Sequence, residues 1–166
     1  MTDQLPSLFK MVAEAEAKLD AIRVRTFRID DYREVRALWK KSGLEIRPGD
    51  SRTEVQLKIR RDPELFLVAE AGDAIVGSVI GAWDGRRGWI YHLGVLPSFQ
   101  RRGVATRLIR EVERRMKKKG VVKVNASIYK WNKRSLAFFN ARGYESDTKT
   151  IHVGKYFKRA RRSHAQ

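Results

Sequence analysis

"FQRRGVATRLIREVERRMKKKG", residues 99–120, sets two adjacent arginines and one glycine in front of a run whose apolar residues recur at helical spacing. Val104, Leu108, Ile109, Val112 and Met116 fall on one stripe and Gly120 stands where a helix stops, so a helix over 104–118 is expected. Its first N–H groups have no partner within the helix, and with the positive end of the helix dipole they suit a phosphate. Gly103 lets an anion approach the backbone. Arg101 and Arg102 add donors for a ligand with several negative charges, which a pyrophosphate carries and a carboxylate does not. Adjacent arginines alone would read as a solvated pair; the glycine, the stripe and a strand just upstream favour a binding loop. There is no Gly-Lys-Ser/Thr sequence for a nucleoside-triphosphate loop, and one glycine falls short of a dinucleotide fingerprint.

Upstream, "LFLVAE" (65–70), "IVGSVIGAW" (75–83) and "WIYHLGV" (89–95) read as strands joined by short turns at 71–73 and 84–88, an antiparallel meander. Before them come a strand from Ile22 to about Arg28, a helix from Asp30 or Asp31 through Lys41, and a short helix that Ser51 and Glu54 open in capping-box spacing and that ends before Pro63. Downstream, "VVKVNASI" (121–128) reads as a strand, 133–141 as a helix, and 144–148 and 150–157 as closing strands. This order describes an α/β (α+β) domain on a mixed, mostly antiparallel sheet flanked by helices.

Three regions follow. Leu8, Val12, Ala15, Leu19 and Ile22 form one apolar stripe, so residues 1–21 read as a helical extension that docks on the domain or, alternatively, pairs with a second copy. Residues 22–157 are the domain, and 158–166 a basic tail. The chain carries 36 Lys plus Arg against 19 Asp plus Glu, a net charge of +17, which attracts nucleic acid, anionic membrane or small polyanions without choosing among them. It has no cysteine, which excludes disulfides, thiolate metal sites and a cysteine nucleophile. No apolar stretch approaches the about 20 residues of a membrane span. Glu14 and Glu16 interrupt any secretory h-region, and a cytoplasmic protein is expected.

"YHLGVLPSFQRRGVATRLI" resembles motif A of the GNAT superfamily of acetyl-CoA-dependent N-acetyltransferases, Gln/Arg-x-x-Gly-x-Gly/Ala after a strand, here Gln100-Arg101-Arg102-Gly103-Val104-Ala105. "NKRSLAFFNARGYE", residues 132–145, resembles the closing motif of the family, and RimI-like and YpeA-type members are the most similar in feel. The resemblance implies the GNAT-type acyl-CoA N-acyltransferase fold, acetyl-CoA as co-substrate and no metal. It further implies that the backbone of Leu93, Gly94 and Val95 meets the pantetheine arm where that strand parts from 121–128. Arg101, Arg102, Gly103, Val104, Ala105 and Thr106 would hold the pyrophosphate, Asn132 would hydrogen-bond the pantetheine and Ser135 would line its path. On its own, Asn132 also reads as a helix cap. The implied reaction is direct attack of a primary amine on the thioester in a ternary complex.

Two positions depart from the RimI-like pattern: Phe139 stands where a tyrosine acid is usual, and Ser127 where a glutamate base is usual. Tyr129, on the strand face of Ser127, is a substitute donor, and Tyr91 and His92 on the adjoining strand are further candidates, since imidazole ordinarily titrates near neutral pH. The acceptor is an amine, whether of a peptide or protein N-terminus, a lysine or a small molecule. The positive charge disfavours cationic acceptors and favours acidic peptides. The alternative is a catalytically impaired module that binds CoA, or nucleic acid non-specifically, through its basic surface.

Overall fold

The computed structural model describes residues 22–157; the expected helical extension (1–21) and basic tail (158–166) lie outside the described residues. The elements run β1 (Ile22–Thr26), α1 (Tyr32–Lys41), α2 (Arg52–Arg61), β2 (Phe66–Ala71), β3 (Ala74–Trp83), β4 (Gly88–Val95), α3 (Val104–Lys118), β5 (Val124–Ala126) and α4 (Lys133–Asn140). The strands form one sheet in the order β1-β2-β3-β4-β5. The first three pairings are antiparallel and β4–β5 is parallel, so the mixed, mostly antiparallel sheet expected from the sequence is present.

Helices cover both faces of the sheet, and period-2 alternation sorts the strand residues between two cores. On one face Phe66 and Val68 of β2 pack with Val35, Leu38 and Trp39 of α1 and Val55 of α2. On the other, Leu67 and Ala69 pack with all five stripe residues of α3, each of them buried. A strand buried on both faces reads as a continuous apolar run, which is the pattern of "LFLVAE". Each large side chain so buried contributes about 1.5–3 kcal/mol relative to exposure. The capping box forms as its spacing predicts: the Glu54 N–H donates to Ser51 Oγ at 3.3 Å, and the Ser51 N–H donates to Glu54 Oε2 at 3.3 Å.

Two expectations are corrected. The strand over 121–128 is reduced to Val124–Ala126, paired with Gly88–Ile90 only. Among the described residues, the closing strands at 144–148 and 150–157 do not form. Ile151 and Val153 alternate as strand residues do, yet a strand needs a partner's hydrogen bonds and an apolar face to cover. Neither is supplied: Asp147 Oδ1 accepts the Lys149 N–H at 2.8 Å in a local turn, and Ile151, Val153 and Phe157 are 83%, 88% and 92% exposed. No helix among the described residues is long and apolar enough to cross a membrane.

Candidate active site

β4 and β5 pair over three residues and part beyond Ile90 and Ala126. Here β4 is irregular: Ser78 pairs with Gly94 and Ile80 with Tyr91, so Val79 alone opposes both His92 and Leu93. Two residues against one is a β-bulge. It turns His92 to φ 47°, a left-handed conformation uncommon outside glycine and several-fold enriched in His, Asn and Asp. The bulge aims the imidazole at the α1–α2 side, where its ring lies 4.7 Å from Trp39, edge to face. Trp39 is fixed in turn by its indole N–H, which donates to the buried Ser78 Oγ at 3.0 Å.

His92 Nε2 stands 3.1 Å from Asp50 Oδ2. Asp50 comes from the loop between α1 and α2 and is 6% exposed. Burial pushes its carboxyl upward, but the hydrogen bonds from His92 and from the Arg47 N–H outweigh that, and the net shift is downward. An ionised Asp50 accepts, so His92 donates through Nε2, and it is Nδ1 that carries the lone pair whenever the ring is neutral. Tyr91 is half-exposed and stacks on Trp89 at 6.3 Å; burial, with the Asp84 charge adding to it, raises its phenol, which stays protonated at neutral pH.

The loop after β4 has the geometry that its composition suggests. Arg101 has φ 62° and Gly103 φ 77°, two left-handed residues that bracket Arg102. Successive backbone N–H groups in such conformations form anion-binding concavities. Gly103 caps α3 without a side-chain hydrogen bond, and the first intrahelical bond runs from the Arg107 N–H to the Gly103 carbonyl at 3.0 Å. The N–H groups of Val104, Ala105 and Thr106 therefore precede the helical ladder. A Cβ at Gly103 would meet nothing within 4 Å, so the space above this backbone is open. Gln100 Nε2 donates to the Val95 carbonyl at 3.0 Å and fastens the loop to the end of β4.

The remaining candidates divide. Val95 is buried in the core beneath α3, Leu93 packs against that core, and Gly94 is buried. Asn132 is a helix cap, its Oδ1 accepting from the Ser135 N–H at 3.0 Å. Thr106 Oγ1 accepts from the Arg142 guanidinium, a link between α3 and the end of α4 that no spacing rule suggests. Phe139 is 5% exposed and packs against Tyr144 at 4.9 Å; it belongs to the core, which is why its lack of a hydroxyl costs the fold nothing. Tyr129, outside β5, donates its hydroxyl to Glu45 Oε2 at 2.8 Å. Glu45, Arg47 and Asp50 all come from the α1–α2 loop, and no local pattern marks them: their partners on the strand side, His92 and Tyr129, are 42 or more residues away. Two shallow depressions, about 310 and 460 Å³ in volume, lie along α3 away from the opening and are lined mainly by charged side chains such as Arg114. Among the described residues no group of three or more His, Cys, Asp or Glu side chains could hold a metal ion.

Free N–H groups at a helix start, set beside the point where two parallel strands part, suit a ligand that carries phosphate. The chain belongs to the acetyltransferase (GNAT) family, whose model matches residues 29–144. It is 40% identical over 135 residues to an acetyltransferase of Yersinia enterocolitica and 36% identical over 135 residues to one of Sodalis glossinidius, in both cases across 81% of this chain and 94% of the relative. Its fold is similar to that of the PaiA N-acetyltransferase of Thermoplasma acidophilum, solved in complex with coenzyme A (TM-score 0.70, 20% identity, 76% of this chain and 91% of that one). The protein is thus an acetyl-CoA-dependent acyltransferase by family.

Proposed function

We propose that the protein transfers the acetyl group of acetyl-CoA to a primary amine by direct attack within a ternary complex. The observation that carries this reading is the end of the β4–β5 pairing at Ile90 and Ala126, beside the open N–H cradle at Gly103. When bound, acetyl-CoA supplies an activated thioester whose carbonyl carbon an amine can attack. The residues present fit it. Backbone N–H groups from Arg102 to Thr106, with the Arg101 and Arg102 guanidinium groups, hold the pyrophosphate. The backbone of Leu93–Val95 would line the arm, and its free N–H groups would be the donors offered to the developing oxyanion. Asn132 spends its Oδ1 on the α4 cap, so its amide nitrogen is the group left for the arm, beside Ser135.

His92 removes the proton from the incoming ammonium through Nδ1, and Asp50 fixes the ring and stabilises the imidazolium that forms. The proton-bearing Tyr91 is available to the departing thiolate. The test is thiol release from acetyl-CoA across a panel of amines, with wild-type protein and His92→Asn. Asparagine tolerates the left-handed conformation, so the bulge is kept while the base is removed. We expect kcat to fall by about a hundredfold or more, the usual worth of a general base. An Asn variant within threefold of wild type would remove His92 from the mechanism, and no thiol release with any amine would remove the proposed reaction.

A further inference from the structure

Resting on that reading, we infer that the acceptor carries a carboxylate, and that Arg47 and Tyr129 form its seat, which Glu45 fills when no acceptor is bound. Three donors converge on a single oxygen, Glu45 Oε2: Arg47 Nε at 3.0 Å, Arg47 Nη2 at 2.8 Å and the Tyr129 hydroxyl at 2.8 Å. The donors also contact each other and a neighbouring ring. The Arg47 guanidinium lies over the Tyr129 ring, 5.3 Å from its centroid, and donates to the phenol oxygen. The Tyr129 ring is stacked on Trp131 at 5.2 Å and 15°. An arginine fork ordered on an aromatic face is a carboxylate receptor.

Its position ties it to the chemistry. Arg47 belongs to the α1–α2 loop and Tyr129 follows β5, so the cluster spans the opening beyond the β4–β5 pairing. The Arg47 N–H donates to Asp50 Oδ2 at 2.7 Å, the same oxygen that His92 Nε2 meets at 3.1 Å. One buried carboxylate therefore holds both the backbone that carries the fork and the proposed base, which places the two on the same side of the opening. The side chains of Glu45 and Arg47 are 62% and 46% exposed, so Glu45 can swing into water at little cost when a substrate carboxylate replaces it. The net charge of +17 draws such acceptors to the protein.

Pairs of acceptors that differ only as acid and amide test this: Ala-Glu-amide against Ala-Gln-amide for a peptide side chain, and free glutamate against its α-amide for a free amino acid. Each is titrated against the CoA-loaded protein by tryptophan fluorescence, which Trp131 on Tyr129 reports, and assayed for thiol release. In wild type the acidic member of at least one pair should bind about tenfold more tightly, as one charge-assisted hydrogen bond provides. Glu45→Gln should widen that preference by removing the resident carboxylate, while Arg47→Gln and Tyr129→Phe should narrow it. Whichever pair discriminates identifies a peptide or a free amino acid as the source. Equal binding of acid and amide in both pairs, in wild type and in Glu45→Gln, would overturn the seat. Preference without thiol release would keep the seat and overturn acetyl transfer; thiol release without preference would do the reverse.

Discussion

Replacing Arg101 and Arg102 together by glutamate lowers affinity for CoA about a thousandfold in calorimetric titration. Two charge-assisted hydrogen bonds at about 1.5–3 kcal/mol each give two to four orders of magnitude, and like-charge repulsion adds to the loss. Affinities for ADP and for 3′-dephospho-CoA fall in proportion, because the pyrophosphate is common to all three. Arg101→Gly separates side chain from backbone. Arg101 has φ 62°, where glycine sits without strain, so this variant removes only the guanidinium and leaves the N–H cradle intact. A modest loss for the glycine variant beside a large one for the double glutamate assigns most of the binding to the backbone and the field around it. If the double glutamate variant binds CoA within threefold of wild type, the phosphate assignment is wrong.

The helix start proposed as the phosphate cradle is legible in the sequence because every part of it is local. The α3 stripe, Gly103 at its start and two arginines before it lie within residues 101–116, and local spacing is what helical periodicity encodes. The same holds for the Ser51–Glu54 box and for the doubly buried β2. The bulge at His92 was not legible. It is a count of two residues against one across β3 and β4, a relation between strands that neither strand carries alone. Asp50 and Arg47 escaped notice for the same reason: each meets the site through a fold that brings a helix–helix loop over a strand formed some forty residues later.

Tyr129 shows a subtler limit. Strand parity set it on the face of Ser127, but β5 ends at Ala126, so parity no longer governs where its hydroxyl goes. The hydroxyl meets Glu45 and Arg47, which changes the chemistry it can do from proton donor toward anion binding. The closing strands fail in the opposite way. Alternation of Ile151 and Val153 is present in the sequence, and the partner that would make it a strand is not among the described elements.

Gly77 and Gly81, four residues apart on β3, set how closely α3 lies on the sheet, and filling either is expected to cost about 3 kcal/mol, the upper part of the usual range for overpacking. A Cβ at Gly81 would stand 2.6 Å from Val112 Cγ2, 2.7 Å from Met116 Cε and 3.1 Å from the Leu65 carbonyl. At Gly77 it would stand 2.9 Å from Val104 Cγ1 and 3.1 Å from Leu108 Cδ1. Gly81→Val and Gly77→Val should each lower Tm by about 10 °C in thermal denaturation, at about 2–4 °C per kcal/mol for a protein of this size. Their effects on CoA should differ. Gly77 faces the first residue of α3, so relief of its clash moves the helix start and with it the N–H cradle; Gly81 faces Val112 and Met116, in the second half of the helix. CoA affinity should therefore fall at least tenfold more in Gly77→Val than in Gly81→Val, since displacing a set of aligned donors loses more than one hydrogen bond's worth of binding. Equal affinity losses in the two variants would mean that α3 shifts as a rigid rod, and a Tm within about 2 °C of wild type in both would mean that the helix is not seated on these glycines.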